Sequence, residues 1–276
     1  MLDSILVIGG SAGIGKYIVL EALSDPYFKK VGVLSRKHSV SLDELVSLGA
    51  NVNVIDYNNS QLLESHMTGY KVVVAIHNTF GDIKDALAMI DAAKKAGVSR
   101  FVPNVWGVDY EVNSIIPWLG PRLQIRQHLE KIQLNYTEII LGIFMENITR
   151  SGISGCNISF ENKIAIFYGD CPASWTHRKD GAKFLVHKLK TETGNNTYRI
   201  EGDRKSFRDI VEMVEQRIGT FEKTATDNVL EKYNNVQDPF DCMAGLGKAV
   251  SNPNGQVLQP LSSPITVESW LNDLYE

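Results

Sequence analysis

Two apolar spacings alternate along this chain. Short stretches rich in Val, Ile and Leu recur at SILVIG (4–9), VGVLS (31–35), VNVID (52–56), KVVVAI (71–76), RFVPNV (100–105) and TEIILGIF (137–144). They read as strands, and KVVVAI, wholly apolar after its lysine, as a strand buried on both faces. Helical spacing fills the intervals: about 14–23, then 41–49 with Leu42, Leu45, Val46 and Leu48 ahead of Gly49, a short stretch around Leu62 and Leu63, 82–97 ended by Gly97, and 125–132. Strand and helix in turn predict an α/β fold, a doubly wound parallel sheet.

Beyond about Gly142 the pattern loosens, and glycine, asparagine and serine are frequent from 147 to 175. Regular elements are predicted again at 180–190, 197–202 and 206–219, followed by a loop-rich stretch, 234–264, and a terminal helix begun by Thr266. No stretch reads as a linker. The expected organisation is one domain: residues 1–145 mainly the sheet core, 146–276 mainly a smaller lobe with segments returning to that core.

The formal net charge of −4 provides no global positive field, which argues against nucleic acid or an anionic membrane as partner. Three cysteines, Cys156, Cys171 and Cys242, lack CxxC spacing, so neither a disulfide framework nor a metal site is expected. The longest apolar runs are too short to span a bilayer, and the first strand opens almost at Met1. A reduced, cytoplasmic setting is the expectation.

The chemistry concentrates at VIGGSAGIGKYI (7–18), where a strand enters a glycine turn and a helix follows. Such a turn presents backbone N–H groups and a helix N-terminus to a phosphate. Gly10-x-x-x-x-Gly15-Lys16 is almost a nucleoside-triphosphate loop, but that loop needs a small hydroxyl after the lysine for Mg²⁺, and Tyr17 stands there. Gly9-x-x-Ala12-x-x-Gly15 is a dinucleotide spacing at the first strand–helix turn. Gly9, Ser11, Ala12, Gly13, Ile14 and Gly15 are therefore candidates to hold a pyrophosphate, with Gly15 packing the helix on the strand. The second strand ends Ser35-Arg36-Lys37-His38, with no acid before Asp43. Two cations and a hydroxyl suit a 2′-phosphate rather than a ribose 2′-OH, which selects NADP(H). Asp56 can accept from the adenine amino group or cap the next helix. His77, after the fourth strand, can face the cofactor or be a structural histidine. Tyr57, Phe144 and Met145 can border the ligand or simply pack.

SRFVPNVWGVD (99–109), the helix before it, RLQIRQHLEKIQLNYTEIILGIFMEN (122–147), Asp180-Gly181-Ala182 and TVESWL (266–271) together resemble the NmrA-like and isoflavone-reductase-like proteins, atypical members of the short-chain dehydrogenase superfamily. The resemblance implies a Rossmann-type fold with a smaller C-terminal substrate lobe. In the reductases of that family a lysine opens the helix after the fifth strand as the acid/base candidate; here its slot holds Arg122, and the neighbouring Pro-Ser-Glu is Pro103-Asn104-Val105. An arginine with its usual pKa above 12 can polarise a carbonyl but not shuttle protons. No tyrosine has lysine four residues later, so the pair of ordinary short-chain enzymes is missing too. Two functions are implied: an NADPH-dependent reductase of a small carbonyl, enone or aromatic metabolite, with Arg122 and Asn104 as catalytic candidates, and a non-catalytic NADP(H) sensor acting through a protein partner.

Overall fold

The computed structural model describes residues 1–76, 83–107, 109–110, 120–148, 156–159, 161–167, 172–225 and 264–275. Helices and strands alternate at first: β1 (Ser4–Ile8), α1 (Gly13–Ser24), β2 (Lys30–Ser35), α2 (Val40–Ser47), β3 (Asn51–Val54), α3 (Ser60–Met67), β4 (Val72–Ala75), α4 (Lys84–Lys95), β5 (Arg100–Val102), α5 (Gly120–Lys131) and β6 (Thr137–Ile140). Then come β7 (Ile143–Phe144), a 3₁₀ turn at Met145–Asn147, β8 (Cys156–Ser159), β9 (Ile164–Phe167), β10 (Ala173–Thr176), α6 (Arg178–Thr191), β11 (Asn196–Arg199), β12 (Asp203–Lys205), α7 (Phe207–Ile218), β13 (Glu222–Ala225) and α8 (Val267–Tyr275). Among the described residues no helix is long and apolar enough to cross a membrane.

The chain divides into two units. The first comprises Met1–Val105, Tyr110–Ile139 and Gly181–Tyr198. Its sheet has the order β3-β2-β1-β4-β5, with every pairing parallel, as the alternation predicts. A parallel bridge from Phe101 to Tyr136 continues it toward β6, which pairs with β11. The central strand β1 is buried at all five positions, as a strand covered on both faces must be. One face packs Leu6, Ile8, Val73, Ala75 and Phe101 against Leu63, Met89, Ile90, Ile125 and Leu129 of α3, α4 and α5. On the other face α1 closes on Val7 and Val33 through Val19, beside Gly10.

The second unit comprises Trp106–Asp109, Ile140–Asp180 and Arg199–Glu276. It contains two three-stranded sheets, β12-β10-β7 and β13-β9-β8. TEIILGIF, predicted as one strand, is two: Gly142 takes a positive φ of 78°, and a Cβ there would stand 2.4 Å from the Ser174 carbonyl oxygen. Only glycine permits that approach, and the turn it makes separates β6 from β7. The terminal helix begins where predicted: the Asp203 carboxylate accepts the Val267 N–H at 3.0 Å, and Asp180 accepts the Ile265 N–H at 2.8 Å. Most of the expected loop at 234–264 lies outside the described residues.

A carboxylate with no solvent exposure anchors the end of the first unit. Glu138 on β6 accepts from Tyr110 Oη at 2.7 Å, Arg126 Nε at 2.9 Å and Thr197 Oγ1 at 2.8 Å. Truncating one member of a buried pair leaves its partner's charge unsatisfied. Glu138→Ala is therefore expected to lower unfolding free energy by about 3–5 kcal/mol in urea titration; a loss below about 1 kcal/mol would show that water satisfies Arg126.

Candidate functional site

Each parallel strand sends a residue past its carboxyl end into one cleft of about 830 Å³. β1 contributes Gly9 and Ser11, β2 the stretch Ser35–Ser39, β3 Tyr57, β4 Ile76 and β5 Asn104. This is where open α/β sheets hold ligands, at the point where strand order reverses about β1.

The glycine turn is built by close backbone approach. Gly9 has φ 81°, and a Cβ there would lie 2.2 Å from the Ile76 carbonyl oxygen. At Gly15 a Cβ would lie 2.5 Å from Gly9 O, so this glycine seats α1 on the end of β1 as its spacing predicts. Gly13 differs: its φ is 54°, but a Cβ would meet nothing within 4 Å. The positive φ favours glycine there, and the space in front of it is open. Ala12 is the N-cap of α1 and provides no side-chain bond, and the first turn contains no acid. By contrast α3 is capped by Asn59, and α7 has a full capping box from Ser206 and Asp209. The α1 N-terminus thus keeps backbone donors and positive dipole for an anion from outside. Ile14 is buried beneath the turn. Lys16 Nζ lies 2.6 Å from Glu44 on α2, the opposite of what a triphosphate loop requires of its lysine.

Arg36 and Lys37 are exposed at the end of β2 and line the cleft. Ser35 lines the cleft as well; it is buried, and its Oγ donates to the Lys37 carbonyl at 2.8 Å, bracing the turn. Asp56 caps no helix: its Oδ1 accepts from the Asn58 N–H at 3.0 Å and side-chain amide at 2.9 Å, while Asn59 caps α3. Asp56 is exposed and is not part of the cleft's lining among the described residues. Ser39 and Ile76 line the cleft too. Ser39 is the N-cap of α2, which starts one residue before the predicted helix at 41–49; Ile76 has no chemistry that a sequence pattern would pick out. His77 lies outside the described residues.

The structure buries Arg122. It is 5% exposed in the first turns of α5 and is not among the described residues lining the cleft. Desolvation pushes its pKa down to about 10, partly offset by Tyr110, which corrects the expectation of a value above 12. The guanidinium still carries its charge at neutral pH. Phe144 belongs to the second unit, where the Arg178 guanidinium stands 4.9 Å over its ring. Among the described residues no cluster of His, Cys, Asp and Glu could hold a metal ion.

The two kinds of glycine make a direct test. Gly15→Ala, which drives a methyl into backbone, is expected to cost at least about 2 kcal/mol in denaturant unfolding. Gly13→Ala should cost only about 1 kcal/mol for its left-handed φ. Equal losses would contradict the open space in front of Gly13.

An oxidoreductase of Botryotinia fuckeliana is 27% identical over 223 residues, covering 75% of this chain and 73% of the relative. An isoflavone reductase homologue of Nicotiana glauca is 27% identical over 249 residues, covering 83% and 79%. The leucoanthocyanidin reductase–NADPH complex from Vitis vinifera superposes with a TM-score of 0.76 at 18% identity, covering 99% of each chain, and so shares the fold. The sequence matches the NmrA-like family over residues 1–253, and the chain belongs to that family.

Proposed function

We propose that the cleft binds NADP(H) and that the protein is an NADPH-dependent reductase of a small carbonyl, enone or aromatic metabolite. One observation carries the reading: an uncapped, acid-free helix N-terminus at a glycine turn, in a cleft whose other end presents Arg36 and Lys37 and no carboxylate from the β2 end. In this reading the Gly9–Gly15 turn, with Ser11, holds the pyrophosphate through backbone N–H groups, and Gly13 leaves room for it. Arg36 and Lys37 hold the 2′-phosphate, Arg36 by two parallel hydrogen bonds. The relatives support this choice: one is named an oxidoreductase, one an isoflavone reductase homologue, and a structural neighbour is a reductase complexed with NADPH.

The cofactor supplies hydride chemistry, and the protein supplies binding and orientation. Asn104, two residues past β5 and in the cleft lining, is the residue assigned to polarise the acceptor through its side-chain amide. Arg122, buried and charged, is assigned to bias the field under the site without giving up a proton. Its burial also favours a second reading. A protein with no titrating group in the family's lysine slot can bind NADP(H) and report its redox state to a protein partner instead of turning over.

Two experiments test the shared cofactor assignment and then separate the two readings. Arg36→Ala is expected to weaken NADPH by roughly tenfold to a hundredfold, about 1.5–3 kcal/mol for a charged hydrogen-bonded pair, and leave NADH nearly unchanged in calorimetric titration. Equal parent affinities for the two cofactors would overturn the NADP(H) assignment. Stopped-flow NADPH oxidation across a carbonyl and quinone panel tests catalysis. A reductase should lose about 10²-fold in turnover on Asn104→Ala, and its rate should show no Arg122 ionisation below about pH 9. No oxidation above background by any panel member is the outcome a sensor requires.

A further inference from the structure

Arg36 is an exposed, rotamer-rich side chain, yet it does not stand alone in the cleft. Its guanidinium carbon lies 5.8 Å over the ring centroid of Tyr57, which lines the same cleft from the end of β3. The ring is itself fixed, because Tyr57 Oη donates to the Leu34 carbonyl at 2.8 Å. That carbonyl also accepts the Gly9 N–H at 2.8 Å, the bond that ties the glycine turn to β2. One carbonyl oxygen thus joins the proposed pyrophosphate end of the cleft to the aromatic face beneath Arg36.

We propose that Tyr57 is a positioning residue that presents the Arg36 guanidinium to the 2′-phosphate and thereby sets the preference for NADP(H) over NAD(H), an inference that rests on the cofactor reading above. A guanidinium lying on an aromatic face keeps its N–H edge directed outward, which is the geometry that grips a phosphate with two parallel bonds. Held there before the ligand arrives, Arg36 has less freedom to lose on binding, so the gain falls on the phosphorylated nucleotide alone. Burial pushes the Tyr57 phenol up to about 12, so it remains a neutral donor to Leu34 throughout the physiological range. Lys37, by contrast, offers a point charge on a flexible stem and has no planar fork for a ring to orient. Asp56, the carboxylate next in sequence, is engaged with Asn58.

The test is the ratio of NADH to NADPH dissociation constants, measured by calorimetry on the full chain. Tyr57→Leu removes the aromatic face and keeps an apolar wall. It is expected to lower the ratio by about threefold to fivefold, the worth of an exposed cation–π contact, by weakening NADPH alone. Tyr57→Phe keeps the face, and Gly9 still occupies the Leu34 carbonyl, so the ratio should remain within about twofold of the parent. In an Arg36→Ala background, Tyr57→Leu should leave the ratio unchanged. Should Tyr57→Leu fail to fold, Tyr57→Met carries the same question: it fills the space without a flat ring and should lower the ratio as far. An unchanged ratio in Tyr57→Leu or Tyr57→Met, or equal weakening of both nucleotides, overturns the role of Tyr57. A parent without preference for NADPH overturns the cofactor reading instead.

Discussion

The site depends on two backbone contacts too close for any side chain. Gly9 approaches the Ile76 carbonyl where a Cβ would stand 2.2 Å away, and Gly15 approaches Gly9 where a Cβ would stand 2.5 Å away. The first lets β1 leave the sheet between β2 and β4. The second lets α1 start immediately behind it, with its N-terminus uncapped at the cleft. A methyl group at Gly9 would strike the end of β4, and one at Gly15 would push the helix off the strand; either would displace the turn that opens on the cleft. The Leu34 carbonyl then fastens this turn to the ends of β2 and β3 by accepting from both Gly9 and Tyr57.

Around that turn, cations take different roles according to burial. Arg36 and Lys37 are exposed, and an exposed charge can be handed to a ligand at little desolvation cost. Arg126 is spent inside the fold, stacked 5.0 Å over Tyr110 and bonded to the buried Glu138. Arg100 likewise serves the fold, donating to Tyr136 O at 3.0 Å and Thr137 Oγ1 at 2.9 Å. Arg122 is the costly case. Its charge is almost wholly removed from water, and its pKa falls to about 10 for that reason. An arginine can sustain such burial charged near neutrality, where a lysine in the same slot would be free to lose its proton.

Asp56 and Ser35 show how local bonds compete for a polar side chain. Asp56 Oδ1 accepts from Asn58, and Ser35 Oγ donates to the Lys37 backbone, each within its own turn. Short polar side chains bond to nearby backbone whenever turn geometry allows, and that competition is invisible in a spacing pattern.

The sequence by itself determined the order and type of elements through α5, the glycine turn and the basic end of β2. These follow from apolar period and from glycine's freedom at positive φ, which act between near neighbours. The break at Gly142 and the strands β10, β12 and β13 were not legible. Three- and four-residue segments such as ASWT, DRK and EKTA have no apolar period, and they become strands only through partners far along the chain. The burial of Arg122, the engagement of Lys16 with Glu44 and the placement of Arg36 over the Tyr57 ring were likewise decided only by tertiary structure, because each depends on which distant surface the fold brings against that side chain.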